Sequence, residues 1–233
     1  ATRAQGARVV VVQADISQLE DITRLFETFD QHFEKLDLLV NNAGITRFVK
    51  LLETTEALFD QVVGTDFKGS FFCTQQAAKR MMETGGGVIV NITSNQQIGC
   101  WPDSLVYGPT KAALMHFTRA AALHLAPHNI RVVAVAPGYT TRPEDMPPAD
   151  AVIPSRLPIH RFCTPEEVGQ AVAYLASDKA GYITGTCLTM DGGSLLPVVA
   201  EFGLLSGASL WLKLVFPATL LVIGHLALLA LGM

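Results

Sequence analysis

A chain of 233 residues is long enough for one domain with a sizeable core. Its net charge of -4, with 16% charged residues, provides no basic surface and excludes nucleic acid as a partner. Cys73, Cys100, Cys163 and Cys187 form no Cys-x-x-Cys pair, so they read as buried thiols of a reducing, cytoplasmic setting and not as disulfides.

The run from Ala7 to Asp15 is apolar and β-branched and predicts a buried parallel strand over Arg8–Gln13. Ser17 with Glu20 has capping-box spacing, and Leu19, Ile22, Leu25, Phe26, Phe29 and Phe33 form the apolar stripe of the helix it would open. Leu36–Val40 is the next strand, closed by Asn41-Asn-Ala-Gly44; strand, helix, strand implies a parallel sheet with a right-handed crossover. Helices are predicted over Glu53–Thr65 and Phe67–Glu83, the second stopped by Gly85-Gly-Gly87. A strand follows from Val88 to Thr93. Its Asn91-Ile-Thr93 sequon falls in a central strand and is not a glycosylation site.

Tyr107–Leu125 is an alanine-rich helix, and Ile130–Ala136 a buried strand ended by Pro137-Gly138. His124 and His128 fit a helix C-terminus better than a metal pair, so no metal is expected. The proline-rich stretch 139–162 lacks periodicity and follows the carboxyl end of a strand, where α/β proteins place ligands. Thr164-Pro-Glu-Glu167 caps a helix through Ala176, and Thr186–Met190 is the last strand, ending in Asp191-Gly-Gly193. The mean hydropathy of +0.33 is raised by the C-terminus. Leu214–Met233 holds twenty residues without Asp, Glu, Lys or Arg, enough as a helix for the roughly 30 Å core of a bilayer. It is a candidate membrane anchor, and Lys213 before it would keep the domain on the cytoplasmic side. A buried or dimer-contact helix is the other reading of this tail.

The chemistry centres on Tyr107-Gly-Pro-Thr-Lys111, a phenol and an ammonium one helical turn apart. A neighbouring cation favours the phenolate, which makes a phenol usable as a general acid or base near neutral pH. Ser94, where strand gives way to loop, could hold a substrate oxygen beside it. Asn41-Asn-Ala-Gly44, Ser94, Tyr107-x-x-x-Lys111 and Pro137-Gly138, in this order and spacing, resemble the short-chain dehydrogenase/reductase family over residues 8 to 200.

The resemblance implies an α/β fold, a doubly wound (Rossmann-like) parallel sheet, in a domain over 1–200, with the hydrophobic tail at 203–233. It implies NAD or NADP as cofactor, the choice open, and a small alcohol or carbonyl substrate, a secondary alcohol or a sugar hemiacetal. Trp101-Pro102 and the surroundings of Asp191-Gly-Gly193 look most like glucose 1-dehydrogenase, whereas Asn41 to Thr46 also fits a 3-oxoacyl-carrier-protein reductase. Tyr107 would exchange the proton and contact both cofactor and substrate, Lys111 would assist it and bind the nicotinamide ribose, and Ser94, Gln96 and Trp101 would line the substrate site with Tyr107. Asp15 and Ile16 would contact the adenine, Asn41, Ala43 and Gly44 the adenosine half, and Pro137, Gly138 and Thr140 the nicotinamide end. A homo-oligomer, dimer or tetramer, built on Phe67–Glu83 and Tyr107–Leu125 is also implied.

Two departures stand inside the motifs. Asp66, added to the catalytic set, replaces the Asn through which the family orders a relay water, bringing a charge that can shift neighbouring groups. Arg142 stands where the family tends to have the Thr that clasps the carboxamide, leaving Thr140 or Thr141 for that role. No Gly-x-x-x-Gly-x-Gly turn occurs, and the chain opens, without Met, at what the family would count as its third strand. A fragment lacking the first βαβ portion is therefore expected, with strand order 3-2-1-4-5-6-7 leaving a gap of about 14 Å beside Val9–Val12. The alternative function is a non-catalytic, membrane-tethered binding or scaffold protein.

Overall fold

Four short, mostly apolar runs build a parallel sheet: β1 (Leu38–Asn41), β2 (Gly87–Ile92), β3 (Ile130–Pro137) and β4 (Cys187–Met190), in the order β1-β2-β3-β4. The register pairs Val40 with Val90, Val90 with Val133 and Val135 with Leu188. This computed structural model describes residues 8–196. Ala1–Leu195 form one unit and Leu196–Met233 a second, of which only Leu196 is described, so the candidate membrane anchor lies outside the described residues.

Alternate side chains of a strand face opposite sides, and in the central strands β2 and β3 both sides are buried. Ile89 and Val132 pack with Ile22 and Phe26 of α1 (Leu19–His32), Met81 of α3 (Ser70–Glu83) and Leu125 of α4 (Tyr107–Leu125). Val88, Val90, Val133 and Val135 pack with Leu175 of α5 (Pro165–Ala176) on the other face. Helices on both faces of a parallel sheet make the fold doubly wound, as expected. Among the described residues, no helix is long and apolar enough to cross a membrane.

Three predicted elements need correction. Residues 8–13 form no strand, and Val11 is 76% exposed, because no neighbouring strand is there to take their backbone groups. Among the described residues no backbone hydrogen bond joins 9–12 to 37–40. Ser17 does not cap α1. Its N–H donates to the Asp15 carboxylate, the first turn begins one residue later at Gln18, and the Asp15 N–H donates to Asp21. The helices predicted over Glu53–Thr65 and Phe67–Glu83 are one continuous helical run from Glu56 to Glu83. It comprises α2 (Glu56–Val63), a π turn over Gly64–Gly69 and α3. A π turn is a helix with one extra residue, and it often marks a functional position.

The capping box predicted at Thr164 is formed. The Thr164 hydroxyl accepts from the Glu167 N–H, and the Glu167 carboxylate accepts from the Thr164 N–H. Arg161 and that N–H together hold the Glu167 carboxyl at about 2. Thr164→Ala should lower unfolding free energy by about 0.5–2 kcal/mol, read from the urea midpoint, without changing the transition's slope.

Candidate active site

β2 ends at Ile92, and the chain leaves the sheet extended through Thr93 and Ser94. Ser94 caps a short 3-10 turn over Asn95–Gln97: its hydroxyl accepts from the Gln96 N–H at 3.2 Å and lies 3.4 Å from Asn95 Oδ1. α4 begins at Tyr107 itself, so the phenol sits at the mouth of the helix and Lys111 one turn inside. Lys111 Nζ lies 5.5 Å from the centre of the Tyr107 ring. The ammonium is buried (3% exposed) and donates to the Ile92 carbonyl at 3.1 Å.

The π turn delivers Asp66 to the same place. Asp66 is fully buried, with Oδ2 3.2 Å from Lys111 Nζ and Oδ1 accepting the Ile45 N–H at 2.8 Å. Oδ2 makes no hydrogen bond of its own. The two observations are compatible: the ammonium is at ion-pair distance from Oδ2 while one of its three N–H groups donates to the Ile92 carbonyl. Burial pushes the Asp66 carboxyl up, against the pull of the Lys111 ammonium and the Ile45 N–H. Gly44 allows this contact, since a Cβ there would stand 3.0 Å from Asp66 Oδ2 and 3.2 Å from Lys111 Nζ.

A cleft of about 570 Å³ opens at the carboxyl ends of β1, β2 and β3, the usual ligand position of such sheets. Ser94, Tyr107, Pro137, Gly138 and Thr140 line it, as the sequence placed them together. Lys111 supports Tyr107, while Asp66 and Gly44 meet at its ammonium. The Asn41 amide donates to Asn91 Oδ1 at 2.8 Å and Thr74 Oγ1 at 3.0 Å, so its side chain ties β1 to β2 and α3. Asn91 is itself buried and donates to Thr118, which removes the sequon from solvent.

The remaining candidates have other contacts. The Gln96 side chain accepts from Ser104, and Trp101 Nε1 donates to the Tyr139 hydroxyl at 3.1 Å. That bond couples the loop before α4 to the proline-rich segment, whose two ends meet where Tyr139 stacks on Phe162. The Asp15 carboxylate accepts from Ser17, and Ile16 packs where Gly69 leaves room for its carbonyl. Ala43 is exposed in the loop after β1. Thr140 is the threonine at the cleft; Arg142 pairs with Glu144 and Asp145.

The sequence reading missed part of the lining. Val40, Asn42, Ile92 and Thr93 adjoin motif residues and could have been read with them. Pro165, Val168, Gly169 and Val172 come from α5, and no local pattern announces that this helix closes the cleft. Small residues at the floor, with a buried cation behind the phenol, suit the nicotinamide and ribose half of a dinucleotide. Gly138 lets β3 end close against Asp191, since a Cβ on it would stand 2.9 Å from Asp191 Cα.

A family model described as enoyl-(acyl carrier protein) reductase matches residues 1–194. The 3-oxoacyl-[acyl-carrier-protein] reductase FabG of Thermotoga maritima is 38% identical over 185 residues, 78% of this chain and 75% of that protein. The crystal structure of acetoin dehydrogenase from Enterobacter cloacae superposes with a TM-score of 0.76 at 35% identity, covering 83% of this chain and 78% of that one. A short-chain type dehydrogenase/reductase from Mycobacterium marinum does so with a TM-score of 0.76 at 30% identity, over 84% and 78%.

Proposed function

Because the chain belongs to the short-chain dehydrogenase/reductase family of NAD(P)-dependent oxidoreductases, we propose that it interconverts a secondary alcohol, or a sugar hemiacetal, and its carbonyl form. One observation carries the reading: Tyr107 faces a ligand-sized cleft with the buried ammonium of Lys111 behind its ring and Ser94 on the same wall. The cofactor, when bound, supplies the donor or acceptor of the hydride. Lys111, Pro137, Gly138 and Thr140 are the groups of this chain that would hold its nicotinamide end. The Ser94 hydroxyl orients the substrate oxygen, and the Tyr107 phenol gives that oxygen its proton or takes it away. Lys111, anchored by the Ile92 carbonyl, favours the phenolate through its charge. The apolar side chains of Val168 and Val172 help keep water from the reacting centre.

Two relatives bear names that point to ketones with a second oxygen nearby, 3-oxoacyl thioesters and acetoin, and this supports the secondary-alcohol branch over the sugar branch. The test is absorbance at 340 nm with NADH or NADPH against acetoacetyl-coenzyme A and acetoin, and with NAD or NADP against glucose. Nicotinamide fluorescence is followed in parallel. Turnover on either ketone supports the proposal, and turnover on glucose alone moves the substrate to the hemiacetal. Binding without turnover makes the chain a binding protein, and the absence of both signals refutes the reading.

We also propose that the substrate site works in a homo-oligomer. An apolar groove of about 460 Å³ runs between α3 and α4, lined by Phe71, Ala78, Met82, Phe117 and Ala120, and a second copy of the same helices fits it. Light scattering at micromolar concentration should show a dimer or tetramer that Ala120→Arg converts to monomer. A monomeric parent chain would refute the arrangement.

A further inference from the structure

The charge behind Tyr107 is a pair and not a lone cation. Asp66 and Lys111 lie 3.2 Å apart, 0% and 3% exposed, with no solvent to screen them. Each is held by backbone, Asp66 by the Ile45 N–H and Lys111 by the Ile92 carbonyl, so neither is free to swing away. Asp66 Oδ2 accepts no hydrogen bond, which leaves its charge directed at the ammonium. The π turn and Gly44 create the space for this contact. Among the described residues, Lys111 is the one charged side chain acting on Asp66, Tyr107 is the one ionisable side chain on the cleft wall, and the groups hydrogen-bonded to the pair from the β1 loop and β2 are backbone.

We infer that Asp66 sets the pH at which Tyr107 exchanges its proton, by cancelling part of the Lys111 charge. This rests on Tyr107 being the proton-exchanging group, and Asp66 acts through Lys111 as a positioning and tuning residue. A lone ammonium 5.5 Å from the ring favours the phenolate strongly; a carboxylate 3.2 Å from that ammonium turns the cation into a dipole with a weaker field. Burial pushes the Asp66 carboxyl up, while the Lys111 ammonium and the Ile45 N–H both favour its ionised form. The counts of charge beside the ring follow: zero in the protein, one positive in Asp66→Asn, one negative in Lys111→Met, and zero again in the double variant.

The experiment is a phenolate absorbance titration near 295 nm of the full chain, without cofactor or substrate. The same protein carrying Tyr107→Phe is subtracted, to isolate Tyr107 from Tyr139, Tyr174 and Tyr182. The Tyr107 midpoint should fall by about 0.5–1.5 pH units in Asp66→Asn, rise by a similar amount in Lys111→Met, and return close to the parent value in the double variant. A midpoint that stays put or rises in Asp66→Asn overturns the inference; a merely structural role would not give an order that follows charge. Should Asp66→Asn not fold, the double variant, which buries no lone charge, is compared with Lys111→Met. Its midpoint must be the lower of the two, and equality overturns the inference. The readout needs no turnover, so a chain that titrates in this order but turns over neither ketone nor glucose would refute the proposed function and leave the pairing intact.

Discussion

Turnover of Tyr107→Phe should fall at least ~10²-fold, the scale of general acid–base catalysis, while cofactor affinity barely changes. The phenylalanine ring keeps the packing at the start of α4 and its place beside Lys111 Nζ, 5.5 Å from the ring centre in the parent. Only the ionisable hydroxyl is lost. Steady-state rates on the ketone probe give the first number, and nicotinamide fluorescence gives the second. Near-normal turnover would remove Tyr107 from the mechanism. A parallel loss of cofactor binding would mean that the hydroxyl holds the dinucleotide instead of moving a proton.

Lys111→Met should destabilise the chain by about 3–5 kcal/mol above pH 7, because removing one partner of a buried pair leaves the other charge uncompensated. The loss should shrink toward pH 4. Burial already holds the Asp66 carboxyl above its ordinary value, with Lys111 opposing. A carboxyl whose folded value is raised contributes stability that is complete below its unfolded value, roughly 3.9, and lost as pH rises through the folded value. Without the ammonium the folded value climbs further, so the lost stability grows with pH in the variant more than in the parent. Urea unfolding at pH 4, 6 and 8 reads this directly. A part of the loss independent of pH comes from the Ile92 carbonyl, left without the Lys111 proton. A loss wholly independent of pH would show that Asp66 carries no charge in the folded parent.

Much of this architecture was legible because the signals are local. α4 runs from Tyr107 to Leu125 and α5 ends at Ala176 as read from composition and the Thr164 cap. The central strands appear within a residue or two, since continuous β-branched runs bounded by glycine and proline have few other stable conformations in a protein of this size. The misreadings share one cause. Val9–Val12 have the composition of a strand, but a strand exists only where another supplies its hydrogen bonds. Ser17 and Glu20 have the spacing of a capping box, but Asp15 takes the Ser17 N–H first.

By itself, then, the sequence determined the α/β class, the helix that carries Tyr107 and Lys111, the loop that carries Ser94, and the family to which these belong. Each depends on residues within one or two turns of each other, or on motif order along the chain. Only the tertiary structure decided that Asp66 shares a buried site with Lys111, that the Asn41 amide is spent on Asn91 and Thr74, and that α5 closes the cleft. Those contacts join residues 33 to more than 100 positions apart, whose meeting is set by how the helices pack on the sheet. A carboxylate one helix away reads as a solvated side chain until the π turn places it, fully buried, 3.2 Å from an ammonium.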